Sequence, residues 1–272
     1  MWKRVYKIWI PLLVGIYLLL TLFLYFNQEK MLFFPQPIRG SNANMVDAHA
    51  KYAVEEVHDG VHLRGWFVKQ DAFEKHPLVV YYGGNGEELS NKLYGLEKYG
   101  PCSFLLVNYR GYGASEGKPG EQELFSDALY LYDKLVAPLD PKPASLVLAG
   151  RSLGCGVAIH VASRRPADRM LLISPYDSIE SIACRQYFFL PVKPLLRHRF
   201  HCMSNLGQID LPLLAVTGTR DGVIDIRHSR RVIDAWKNKE VQHAVVEGAG
   251  HNDLGAYEDY WRPIRAFLAE AP

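Results

Sequence analysis

The chain has 272 residues, a hydrophobic fraction of 49% and a formal net charge of +2. That is enough sequence for one substantial core, and the composition excludes a disordered chain. The near-balanced charge, without a long basic run, gives no footing for a nucleic-acid partner.

The first element is the apolar run Ile8 to Phe26. Nineteen residues at the helical rise are about enough to cross a hydrocarbon core of ~30 Å. Trp2, Tyr6 and Trp9 suit one interface, Tyr25 and Phe26 the other. Lys3, Arg4 and Lys7 precede the run, so the positive-inside rule puts the N-terminus in the cytoplasm and everything after the run beyond the membrane. The competing reading is a cleaved signal peptide. That needs a shorter apolar region and a small-residue site directly after it, where this chain has Asn27-Gln28-Glu29-Lys30-Met31. The expected organisation is a cytoplasmic N-terminus and single-pass anchor over 1–30, a linker over 31–53 and one domain over 54–272. Met31 to Pro35 would lie along the membrane surface or pack on the domain.

Within the domain, Val61 to Val68 alternates like a half-buried strand. Pro77 to Tyr82, Ser103 to Asn108, Ser145 to Ala149, Met170 to Ser174, Leu211 to Thr217 and Ala244 to Glu247 are short runs rich in Val and Leu. Such runs read as strands buried on both faces. Helical patterns lie between them: Glu87 to Tyr99, Gln122 to Leu135, Leu153 to Ser163, His228 to Lys237 and Tyr257 to Leu268. The alternation predicts an α/β fold with a mostly parallel central sheet and helices on both faces. Residues 177–210 form a long connection without a sheet partner, the pattern of a lid. It carries Phe188 and Phe189 and the basic residues Arg197 and Arg199, candidates for substrate contact. The plainer reading packs the aromatics on the domain and leaves the charges in water. The four cysteines, Cys102, Cys155, Cys184 and Cys202, show neither C-x-x-C pairing nor metal-ligand spacing. Cys184 and Cys202 share this connection, as two thiols or, in an oxidising compartment, as a bridge.

The chemistry centres on Gly150-Arg151-Ser152-Leu153-Gly154. It follows an apolar strand pattern and opens a helix of small residues, the context of a nucleophile elbow. The serine must project from a sharp turn, so its neighbours two residues away must be tiny. The turn also sets Ser152 at a helix N-terminus, which favours a developing anion. A serine nucleophile needs a base and an orienting carboxylate. Asp221 and His251 follow Ser152 in that chain order, each just beyond its own strand. Asp225 and Asp253 are the competing carboxylates. The oxyanion donors expected are the backbone N–H groups of Leu153 and Asn85, the latter in the loop Tyr82-Gly83-Gly84-Asn85-Gly86.

Gly83 to Gly86, Asn108-Tyr109-Arg110-Gly111-Tyr112-Gly113, Gly150 to Gly154, Gly218 to Ile224 and Gly250-His251 together resemble the α/β-hydrolase superfamily. More narrowly they resemble its membrane-anchored serine hydrolases of the lysophospholipase-like, protein-depalmitoylase-like and serine-aminopeptidase-like kinds. The resemblance covers about Val54 to the C-terminus. It implies the α/β-hydrolase fold with a short lid, and a serine hydrolase without metal or organic cofactor. The substrate would be a small-molecule or lipid acyl ester or thioester, cleaved through an acyl-enzyme. Two alternatives stay open, a peptidase of serine-aminopeptidase type and a catalytically silent binding module. Two departures stand out. Many relatives have His-Gly where this chain has Gly83-Gly84, which bears on how the oxyanion loop is supported. Relatives often carry proline where this chain has Asp225. Arg110 is expected to order loops.

Overall fold

Residues 2–238 and 240–270 are described by the structure, a computed structural model. The side chains of residues 2–6 and 8 lie outside the description, and with them Trp2, Lys3, Arg4 and Tyr6, expected at the first membrane boundary.

Eight strands form one sheet in the order β1-β2-β4-β3-β5-β6-β7-β8. They are β1 (Ala53–His58), β2 (Val61–Val68), β3 (Pro77–Tyr82), β4 (Ser103–Val107), β5 (Ser145–Arg151), β6 (Arg169–Ile173), β7 (Leu213–Gly218) and β8 (Val241–Val246). The pairings β1·β2 and β2·β4 are antiparallel and the rest parallel. The order reverses direction around β3 and β5, so the loops that follow these strands converge at one rim.

Alternate side chains of the central strands enter two separate cores. Leu78, Val80 and Tyr82 share one face with Leu124 and Phe125 of α3 (Glu121–Leu131), Val157 and Ile159 of α4 (Leu153–Ala162) and Val232 of α8 (Ile226–Asp234). Val79 and Tyr81 share the other with Leu89 and Leu93 and with Ile264 and Phe267 of α9 (Glu258–Ala269). Burial of both faces explains why these strands read as continuous apolar runs. Ala53–His58 has no such run. It is an edge strand carrying Glu55 and Glu56, made visible only by its pairing with β2.

Two helical expectations take a different form. Leu89–Tyr99 is a 3₁₀ run with a non-helical break at Gly95, and the helix from Glu121 closes in a π turn at Tyr132–Val136. The connection between β6 and β7 holds three short helices, α5 (Ile179–Gln186), α6 (Val192–Leu195) and α7 (Met203–Leu206). All four cysteines are free thiols.

The N-terminal helix α1 (Trp2–Leu32) contains a stretch, Trp9–Leu32, with a mean hydropathy of 2.2. By length and composition it can cross a membrane. The chain after it does not hang free. Phe33 is buried in the core and stacks edge-on against Phe200 and His198. Asn42 is buried and donates to Ser90 at 2.7 Å, and Met45 and Val46 of α2 (Ala43–Ala48) pack on the second core.

Candidate active site

β5 ends at Arg151 and α4 starts at Leu153, which leaves one residue for the turn. That residue, Ser152, has φ 51° and ψ −121°. A non-glycine residue in such a conformation stores about 1–3 kcal/mol, held only where the surroundings determine it. A Cβ on Gly150 would lie 2.5 Å from the Gly154 carbonyl oxygen, and one on Gly154 would collide with the Tyr82 carbonyl. The two glycines are therefore required by the closeness of β3, β5 and α4. Ser152 N–H donates to the Ile173 carbonyl at 2.8 Å, which ties the turn to β6.

Asp221 follows β7 and His251 follows β8, and their side chains meet, with Asp221 Oδ2 2.7 Å from His251 Nδ1. A proton on Nδ1 donates to the carboxylate and leaves Nε2 as the acceptor. Asp221 also accepts from Ser174 Oγ at 2.9 Å and from the backbone N–H groups of Val223 and Ile224 at 2.9 and 2.7 Å. Burial alone would raise this carboxyl's pKa. The hydrogen bond and charge of His251 and the two N–H donors outweigh it and lower the pKa. The rival carboxylates are engaged elsewhere. Asp225 caps α8, accepting from Arg227 N–H at 3.0 Å, and pairs with Arg227 and Arg185. This cap gives the Arg227 N–H at the start of α8 an acceptor, which a proline side chain at that position could not supply. Asp253 accepts from Gly250 N–H at 2.6 Å.

Support for the loop Tyr82 to Gly86, expected to carry an oxyanion donor, comes from a residue that no sequence pattern singles out. Glu87 accepts from Gly84 N–H at 2.9 Å and from the Tyr81 hydroxyl at 3.2 Å, and pairs with Lys92 at 3.1 Å and Arg151 at 3.5 Å. Burial would raise its pKa, but Lys92, Arg151 and the Gly84 N–H pull it down to about 2. Arg151 in turn donates to the His251 carbonyl and to Asn252, both at 3.0 Å. One half-buried ion pair thus connects the loops after β3, β5 and β8. Asn85 is held from the other side. Its side chain donates to the Leu32 carbonyl at 3.0 Å, and its own carbonyl accepts from Phe34 N–H and the Tyr112 hydroxyl. Arg110 forms a buried two-point pair with Asp127 of α3, an ordering role.

Ser152, Leu153 and Asn85 lie together on the floor of a cavity of about 410 Å³. Leu153 is the first residue of α4, so its N–H has no partner within the helix. One wall is a stripe of α5: Ile179, Ile182, Ala183 and Gln186. Another part of the wall is a stripe of α1: Thr21, Leu24, Tyr25 and Gln28. Their spacing is that of one helical face, a signal present in the sequence but masked by an apolar run without contrast. Phe188, Phe189, Arg197 and Arg199 do not line this cavity. Phe188 is 83% exposed. Arg197 lies over the Tyr25 ring at 4.6 Å and pairs with Glu29 at 3.1 Å, and Arg199 pairs with Glu180 at 3.4 Å.

No family model matches the chain. It is 31% identical over 257 residues to the uncharacterised protein Rv2307c of Mycobacterium tuberculosis, which covers 92% of this chain and 90% of that one. It is 28% identical over 206 residues to human α/β-hydrolase domain-containing protein 17B, covering 75% and 70% of the two chains. Among solved structures, an esterase of Pyrococcus furiosus superimposes with a TM-score of 0.64 at 21% identity, covering 87% of this chain and 96% of that one. By its relatives and by the order of its strands alike, the chain belongs to the α/β-hydrolase superfamily.

Proposed function

We propose that this protein is a membrane-tethered serine hydrolase that cleaves carboxylic esters or thioesters of apolar acyl groups. The observation that carries the reading is a strained Ser152 on the floor of an apolar cavity, with a hydrogen-bonded Asp221–His251 pair on loops at the same rim. In this reading Ser152 Oγ attacks the substrate carbonyl carbon and His251 Nε2 takes its proton. Asp221 stabilises the imidazolium. The oxyanion is held by the N–H groups of Leu153 and Asn85. His251 then protonates the leaving alcohol or thiol. Water, deprotonated by His251, attacks the acyl-enzyme, and the acid leaves as Ser152 regains its proton.

Tethering is supported by α1. Leu19, Phe23 and Phe26 are 68%, 62% and 69% exposed, and each such side chain left in water forgoes about 1.5–3 kcal/mol of transfer free energy. An uncleaved helix is supported by its own contribution to the cavity wall. Ser152→Ala in the full chain should lower turnover of a p-nitrophenyl ester by about 10⁴-fold or more and abolish labelling by a fluorophosphonate. Turnover equal to that of the parent would end the nucleophile assignment.

A further inference from the structure

The cavity beside Ser152 is walled by a helix whose other faces are built for lipid. Thr21, Leu24, Tyr25 and Gln28 are half-buried against the domain, whereas Leu22, Phe23 and Phe26 between them are exposed. The binding space therefore runs along α1 into the depth of its apolar segment. Thr21, at its far end, is about 16 Å up the helix from Leu32.

The lid climbs the same helix. The Tyr17 hydroxyl donates to the Phe189 carbonyl at 3.1 Å, about 22 Å up α1 from Leu32. Polarity is graded along this axis. At the base, the Gln28 side chain accepts from Arg197 N–H and donates to the Leu195 carbonyl, and Glu29 pairs with Arg197. Higher up, the walls are Tyr25, Leu24 and the α5 stripe. At the top, Phe188 and Phe189 project from the lid tip, 83% and 48% exposed. That is the gradient of a bilayer from headgroup to hydrocarbon. A lid tip that exposes two adjacent phenylalanines beside an exposed apolar helix is suited to lipid and not to water.

We infer, on the basis of the serine-hydrolase reading above, that the lid tip inserts into the leaflet around α1. Substrate then reaches Ser152 sideways from that leaflet, passing between α1 and α5. The occupant is the single long acyl chain of a bilayer-resident ester or thioester. Its tail lies on the Thr21–Leu24–Tyr25 stripe and its carbonyl sits at the floor. α1 is then a specificity-determining wall as well as an anchor. The size of the cavity is within the range of about 300–1,000 Å³ usual for small-molecule sites.

The test uses the full chain in phosphatidylcholine vesicles with two substrates, p-nitrophenyl acetate supplied from water and p-nitrophenyl palmitate loaded in the bilayer. Leu24→Trp narrows the passage, and the double variant Phe188→Asp with Phe189→Asp charges the lid tip. Each should lower the palmitate-to-acetate ratio of kcat/KM by about tenfold or more, the worth of burying one or two methylenes. A far-ultraviolet circular dichroism spectrum equal to the parent's reports that each variant is folded. An unchanged ratio in either variant overturns lateral access, as does a parent enzyme that cleaves acetate but not bilayer palmitate. Undiminished acetate turnover by Ser152→Ala would instead remove the hydrolase reading itself.

Discussion

Two aspartates four residues apart, Asp221 and Asp225, are chemically equivalent in the sequence and do different work in the fold. Asp221 faces His251 and receives Ser174 and two backbone donors, so its charge is held in one orientation. Asp225 is spent on α8 and two arginines. Asp221→Asn should lower kcat by about 10³–10⁴-fold, because the imidazolium loses its counter-charge and the ring its tautomer. Asp225→Asn should cost far less, since a cap and exposed ion pairs are all it removes. Steady-state kinetics on one ester ranks the two, and the reverse ranking would transfer the acid role to Asp225. Ser174, with φ 50°, sits directly after β6 and went unnoticed in the sequence because a lone serine at a strand end carries no pattern.

Loops that belong to different strands are locked together by the half-buried pair of Glu87 and Arg151. This brace stands beside Gly83-Gly84, in the loop after β3. Glu87 has its pKa held at about 2 instead of its ordinary 4.5. The group is charged in both states above pH 4.5, so its contribution, about 3 kcal/mol, is complete there. It is lost as pH falls through 4.5 toward 2, because the native state must then accept a proton it disfavours. Glu87→Gln should therefore be less stable than the parent near neutrality, with the gap closing as pH falls below 4.5. Denaturant titrations of both proteins in detergent across that range check the sign; a gap that widens toward acid contradicts it. Secondary structure was legible where the pattern is regular: Val61–Val68, read from its alternation, and Pro77–Tyr82, read from its apolar run, have the bounds their patterns predict. It was not legible at β1, where exposed Glu55 and Glu56 leave no apolar run, nor at Leu89–Tyr99, where Gly95 breaks the helix period.

The molecule joins an apolar helix to a hydrolase-type domain so closely that helix and cavity share residues. Orientation rests on Lys3, Arg4 and Lys7 preceding the apolar segment. A C-terminal tag should be cleaved by protease added outside intact cells or spheroplasts, and the protein should resist carbonate extraction. A tag protected until the membrane is breached reverses the orientation. Release of a form beginning after Phe26 would mean that the helix is cleaved and its wall of the cavity lost. The sharp turn at Ser152, the chain order of Ser152, Asp221 and His251, the parallel strands and the apolar first helix could all be read without coordinates. Each is written in a few neighbouring residues, as turn sterics, burial period or span length. The fold alone decided that Asp225 caps α8 and pairs with two arginines, and that Glu87 and Arg151 brace three loops. It alone turned Phe188 and Phe189 away from the cavity and made Thr21, Leu24 and Tyr25 one of its walls. Those are contacts between segments as much as 172 residues apart, set by where the sheet and the β6–β7 connection bring them together, and no local pattern encodes such a meeting.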